Sequence, residues 1–353
     1  MDKRRIQLVG HSTLTVSLPP TWVRKNGLEK GDYVLVNPDQ DGSLRIVKDS
    51  GISEKDSLRI CTIRSDLCKG KELLARLIVA CYVKGFDTIE ITSSSRISNE
   101  NLKAARRAEL ALMGLSIVEE TSSSMTLQCS INPAMVPIDL MIRRLYALFS
   151  TMCDEAIHAF TTSNQDIAKE AQMREREANM MYALISRLLN QAQLSSEISK
   201  KIGIDGMEDI INMSLVANIL ERKADWAFKI AEEVIKIETE GLIVSKEIKT
   251  KIDNYYKKIK CVCDKSIESE FSSNIGQANE AIDHFKEELE TEAYTMINEL
   301  SQQKIFHGIA ELRQIISMLR RIGEISVSIA ESAIDRAIDN SKLCDIKPSG
   351  KKR

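Results

Sequence analysis

The sequence predicts a mainly α-helical protein with a β-rich N-terminal part: a strand-and-turn head, a small α+β layer, then two tandem three-helix bundles. Three observations carry this expectation. Apolar residues alternate in period two over residues 4–48, they recur at three-four spacing in long stretches after Pro137, and a motif of the helical part returns 99 residues later.

In the head, strands are expected over Ile6 to Val9, Thr13 to Leu18, Tyr33 to Val36 and Leu44 to Val47. Pro19-Pro20 stops the second strand, Thr21 is placed to cap one turn of helix through Asn26, and Gly27 and Gly31 suit tight turns. About 45 residues is near the limit for independent folding, so the head calls for a partner chain. From Ser57 to Ile131 the order is strand, helix, strand, helix, strand, strand, with helices over Lys71 to Lys84 and Asn99 to Met113. Both helices on one face of a four-stranded sheet would make a ferredoxin-like layer. It holds no phosphate loop or catalytic constellation, which leaves it a spacer or dimerisation role.

Amphipathic stretches follow near 137–161, 165–192, 206–239, 245–270, 275–302 and 305–340, separated by Ser, Asn and Gly. The run Leu220 to Glu232 aligns with Leu319 to Glu331, which makes six helices into two bundles of three. The expected divisions are therefore 1–50, 55–133, 137–241 and 244–341, with a polar tail beyond.

Composition excludes several classes. With 353 residues, 43% hydrophobic and 28% charged, the chain can bury more than one core. A formal net charge of −2 means that nucleic-acid binding would need a local basic patch. The 8 cysteines, at 61, 68, 81, 129, 153, 261, 263 and 344, include no CxxC pair and are expected to be free thiols. No stretch reaches the roughly 18 apolar residues of a membrane span, and polar residues interrupt Ile6 to Pro20 after Lys3-Arg4-Arg5, so the expected location is the cytoplasm. His158, His284 and His307 share no ligand spacing, paired Glu-x-x-His motifs are missing, and no nucleophile stands beside a base, which argues against an enzyme.

One helix does carry chemistry. Met213, Ala217, Leu220, Ala224, Ala227, Ala231 and Val234 form a seam of mostly small residues, and beside it Glu221 and Asp225 share a face at i,i+4. Their repulsion is relieved by a bound cation or a retained proton; the alternative is a solvated, salt-bridged face. In the second repeat Arg320 replaces Glu221 and can pair with Glu324 at i+4.

Two resemblances add to this reading. Gly10, Ser12-Thr13-Leu14, Leu18-Pro19, Trp22, Asn26-Gly27-Leu28 and Lys30-Gly31-Asp32 resemble the SpoVT/AbrB family, whose two chains interleave hairpins into a dimeric DNA-binding barrel. The resemblance implies a DNA-facing set of Lys3, Arg4, Arg5, Ser12, Thr13, Arg24 and Lys25 on double-stranded DNA, or else a basic face on a plain dimerisation module. Glu221-Arg222-Lys223-Ala224-Asp225 with Ile230-Ala231-Glu232, and Arg174-Glu175-Arg176-Glu177-Ala178-Asn179 with Tyr182, Leu184-Ile185 and Arg187, resemble the PhoU family of phosphate-uptake regulators. That resemblance implies a divalent or trivalent metal ion (magnesium, zinc or iron) on Glu175, Asn179, Glu221 and Asp225, and more weakly on Asn279, Asp283 and Glu324, with Asn179 standing where aspartate is usual. The two joined are similar to an archaeal type of phosphate-uptake regulator. They imply a homodimeric or larger DNA-binding transcriptional regulator of phosphate uptake. The alternative is a modulator that binds the ATPase of a phosphate transporter through its body, its head serving only to dimerise.

Overall fold

The structure, a computed structural model, describes residues 3–38, 43–48, 58–70, 72–302, 308–338 and 343. His307, Cys344 and the basic end of the tail lie outside them. Contacts divide the chain into two units, Met1–Leu58 and Arg59–Arg353.

In the first unit, β1 (Gln7–Val9) and β2 (Thr13–Thr15) form one antiparallel hairpin, and β3 (Val34–Pro38) and β4 (Leu44–Lys48) form another. Helix α1 (Pro20–Lys25) lies between them in sequence. It begins one residue before the expected Thr21 cap: Pro19 is the N-cap and has no side-chain acceptor to offer, while Pro20 suits the first helical position because its missing N–H would have no partner there. Lys48 Nζ donates to the Gly27 carbonyl at 2.8 Å, tying β4 to the turn after α1. Ile6, Leu8, Leu14, Val16, Tyr33, Leu35 and Val36 are all exposed. Two isolated hairpins with their apolar faces open to water are unstable alone.

The second unit opens with an α+β layer: β5 (Ile60–Arg64), α2 (Leu73–Val83), β6 (Thr88–Thr92), α3 (Asn99–Leu110), β7 (Leu115–Glu120) and β8 (Ser124–Cys129). The sheet order is β5-β6-β8-β7, with β5 parallel to β6 and β8 antiparallel to both its neighbours. The predicted element order holds, but the ferredoxin-like connectivity does not. That fold places a hairpin in the middle of the order, whereas here the β7-β8 hairpin comes last and β8 inserts beside β6. Both crossovers advance in one direction, so right-handed connections put α2 and α3 on one face. There Ile89, Ile91, Met125 and Leu127 meet Leu74, Ile78, Tyr82 and Ala104 in one core.

The helical part follows with α4 (Ile138–Thr162), α5 (Gln165–Leu194), a short α6 (Ser196–Ile202) that the sequence reading missed, and α7 (Gly206–Thr239). It continues with α8 (Lys246–Ser272), α9 (Ile275–Asp283), a π-helical turn over His284–Leu289, α10 (Glu290–Gln302) and α11 (Ile309–Ala337). Helices α4, α5 and α7 pack mutually as one bundle; α8, α9 to α10, and α11 make the second; α7 against α11 and α4 against α8 join them. The periodic small and branched residues supply a shared core, each buried Leu or Ile contributing about 1.5–3 kcal/mol. Ser and Asn punctuation becomes caps: Ser195 and Ser245 accept from the N–H three residues on, and Asn164 and Asn274 cap α5 and α9.

The duplication reaches further than the motif that revealed it. Tyr146, Cys153, Asp154, Ser163 and Asn164 recur 110 residues on as Tyr256, Cys263, Asp264, Ser273 and Asn274. Ser163 and Ser273 both adopt the left-handed conformation, at φ 54° and 52°, that ends α4 and α8. Across the α4–α8 contact the pairing is reciprocal: Tyr146 donates to Asp264, and Tyr256 donates to Asp154 at 2.7 Å. The two bundles therefore meet about a local two-fold relation. The offset falls to 99 for α7 and α11 because the first repeat carries eleven more residues, α6 among them, ahead of its last helix.

Candidate functional site

Four helices position the expected cation residues. In the first repeat Glu175 and Asn179 lie on α5, Glu221 and Asp225 on α7, and α5 packs along α7. Asn179 Nδ2 donates to Glu175 Oε1 at 2.6 Å. Burial, then the neighbouring Asp225 and, further off, Glu175, push the Glu221 carboxyl above the usual carboxylate range, against the pull of Arg222. The fold thus brings three carboxylates into electrostatic reach of one another. They do not form a cage: among the described residues no three His, Cys, Asp or Glu side chains converge as ligands of one ion. These residues fit a cation held by a few protein oxygens with water completing a shell of roughly six, and they do not fit a closed protein site.

The second repeat is built differently at the same places. Arg320 Nη1 donates to Glu324 Oε2 at 3.1 Å, as the spacing predicts, and also faces Glu290 Oε1 at 3.7 Å. Asn279 Nδ2 donates to Asp283 Oδ2 at 2.6 Å, both exposed. By the register of the α5 and α9 caps, Glu175 corresponds to Phe285, a buried ring. Phe285 packs over Gly323, where an added Cβ would lie 2.5 Å from the ring. The π turn that contains Phe285 sits at this crossing.

Two charged residues of these motif stretches, Lys223 and Arg187, are buried. Lys223, between Glu221 and Asp225, is 0% exposed; its Nζ has no hydrogen-bond partner and lies 4.5 Å from the Phe149 ring centroid and 5.7 Å from that of Tyr146. Its counterpart is Ile322. Arg187 on α5 is 1% exposed and reaches into the α+β layer, donating to the carbonyls of Tyr82 and Phe86 at 2.8 Å each and to Asp87 Oδ1 at 3.2 Å. The turn it grips passes through Gly85, at φ 83°, so close to α5 that a Cβ there would meet Gln191 Cγ at 2.7 Å. The layer expected to be a spacer is thereby latched to the first bundle. A charged residue inside an apolar three-four stripe was the available signal for both.

In the head, Lys3, Arg4, Arg5, Ser12, Thr13, Arg24 and Lys25 are all exposed. Ser12 and Thr13 stand at the tip of the β1-β2 hairpin, and Arg24 and Lys25 in the last turn of α1, where cations suit the helix dipole.

Fold and site together define a modular protein, a hairpin head followed in sequence by an α+β layer and a helical body. Residues 7–60 match the family model described as antidote-toxin recognition MazE, bacterial antitoxin, and residues 142–234 match the PhoU domain. The chain thus carries a MazE/AbrB-type segment and a PhoU domain, the latter falling on the first repeat. Both are regulatory rather than catalytic families. The crystal structure of PhoU from Pseudomonas aeruginosa is similar over 56% of this chain and 93% of that one, at 18% identity and a TM-score of 0.48. Comparison with curated proteins gives no match. Among the described residues no helix is long and apolar enough to cross a membrane.

Proposed function

We propose that the chain is a DNA-binding transcriptional regulator of phosphate uptake that works in the cytoplasm as a homodimer or larger assembly. The observation that carries the reading is the union, in one chain, of a MazE/AbrB-type segment and a PhoU domain. Charge distribution supports it: the first 50 residues hold eight Lys and Arg against six Asp and Glu, in a chain whose net charge is −2. The open apolar faces of both head hairpins support pairing with a second copy. In this reading the exposed cations neutralise phosphates, and Ser12 and Thr13 donate to phosphate or base edges.

A mobility shift on the promoter of a phosphate-transport operon, at stated salt, tests the reading. Binding should weaken as salt rises, and replacing Arg4 and Arg5 by Ala should lower the salt slope by roughly 1 for each phosphate contact removed. No shift at low salt, or one indifferent to the double replacement, overturns DNA binding. The open hairpin faces favour one other reading, in which the head only dimerises and the body modulates the ATPase of a phosphate transporter. A stable dimer without DNA affinity is the result that selects it.

We infer further that the Glu175, Asn179, Glu221 and Asp225 group answers to a divalent or trivalent cation, which would offset the burial and the repulsion that raise the Glu221 pKa. Elemental analysis of the purified protein beside a Glu221→Ala, Asp225→Ala variant decides it. Metal lost with the variant supports the site, and equal metal in both removes it.

A further inference from the structure

Cys61 and Cys81 are 20 residues apart in sequence, and neither belongs to a CxxC motif. The fold nevertheless sets their sulfurs 3.2 Å apart. Cys61 lies on β5, an edge strand of the sheet, and shares the helix-facing side with Ile63; Cys81 lies on the α2 face that covers it. Cys61 is partly exposed, whereas Cys81 is buried. Two free thiols in mutual contact, one reachable from solvent and one held behind it, form the arrangement that permits attack followed by resolution.

We propose that Cys61 and Cys81 are a reversible dithiol–disulfide couple, a modification site in the α+β layer that takes a peroxide as its oxidant. Cys61 is the attacking sulfur because it is the accessible one and because the Cys81 S–H donates to it. Burial and the Cys61 contact raise the Cys81 thiol to about 12, which keeps its proton in place for that donation and suits it to the resolving role. In the first step the Cys61 thiolate attacks one peroxide oxygen; the S–O bond forms, the O–O bond breaks, and the departing hydroxide takes a proton to leave as water. The Cys81 sulfur then displaces the sulfenic oxygen: the S–S bond forms, the S–O bond breaks, and the oxygen leaves as a second water carrying the Cys81 proton. Two thiols lose two electrons and the peroxide is reduced to water. Closing from contact to a bond of about 2.05 Å asks for a shift of roughly 1 Å shared between β5 and α2.

The couple sits beside the latch. Tyr82, next to Cys81, gives its carbonyl to Arg187, so the disulfide would staple the first strand of this unit to the helix that α5 grips.

The test uses the reduced full chain and hydrogen peroxide below one equivalent, followed by thiol blocking and peptide mapping. The expected product is the Cys61–Cys81 disulfide ahead of any oxidation at Cys261, although Cys261 is the exposed thiol among the described residues. A reductant should return both thiols. Cys81→Ala should stop the reaction at a sulfenic acid on Cys61 that a cyclic diketone traps, and Cys61→Ser should leave Cys81 unmodified. Oxidation of Cys261 with Cys61 and Cys81 both still free overturns the proposal, as does a Cys61 disulfide to any other cysteine. The wild-type map is decisive even if a variant fails to fold.

Discussion

The two helical repeats bury charge at different places: the first holds Arg187 and Lys223, the second Glu270 and Glu311. Lys223 faces Ile322, Glu221 faces Arg320 and Glu175 faces Phe285 across the duplication, while Ala224 becomes Gly323 to admit the Phe285 ring. The first repeat also grips the α+β layer through Arg187, and the matching stretch of α10 offers only Ile297 and Asn298. Duplicated helices thus differ at matching positions, and the π turn interrupts the second repeat's counterpart of α5. A buried charge costs stability unless it is paired, and of these four Lys223 is the one without an ion pair or hydrogen bond, so its retention points to use.

The largest way to break this asymmetry is Arg187→Ala. It removes two charge-assisted bonds to carbonyls and the ion pair with Asp87, and a loss on the order of 3 kcal/mol is expected in equilibrium denaturant unfolding. Arg320→Ala in the second repeat, whose partner Glu324 lies at the surface, should cost under about 1 kcal/mol. Equal losses would mean that the latch is an ordinary surface contact. Next in size is Gly323→Ala. Alanine improves helix propensity by about 1 kcal/mol, yet its Cβ would sit 2.5 Å from the Phe285 ring and 2.8 Å from Ile259. Overpacking, at about 1–3 kcal/mol, should win and lower Tm. If Tm rises instead, the close crossing beside the π turn is not tight.

Lys223→Ile copies the second repeat into the first. It removes an unpartnered buried amine and should stabilise the protein by about 1 kcal/mol or more, read as a higher denaturation midpoint at unchanged slope. A loss of stability would show that the Phe149 and Tyr146 rings hold Lys223 better than a branched aliphatic side chain would.

The sequence made the bundles legible because period, caps and repeat all point the same way: Ser195, Ser245, Asn164 and Asn274 stand where helices begin. Strand order in the α+β layer was not legible, since alternation in β7 and β8 marks a hairpin without stating where it docks. The spacing of Glu221 and Asp225 was visible on one helix. Their approach to Glu175 depends on how α5 packs along α7, and the meeting of Cys61 with Cys81 on how α2 crosses β5. Contacts of that kind are set by tertiary packing, to which local pattern is blind.

The smallest effect tests the acidic group itself. The Glu221 carboxyl is raised first by burial and then by Asp225, so folding favours its protonated form relative to the unfolded chain. A carboxyl raised on folding contributes stability at acid pH that is lost as pH climbs from the ordinary carboxylate range through the folded value. Glu221→Gln cannot titrate, and Tm measured against pH should therefore move in the variant's favour between acid and neutral solution. A Tm difference that does not change with pH would mean that burial and Asp225 leave Glu221 undisturbed. If a divalent cation relieves the same repulsion, adding it at neutral pH should narrow the gap by raising wild type alone, which the second repeat, with Arg320 in that place, has no means to do.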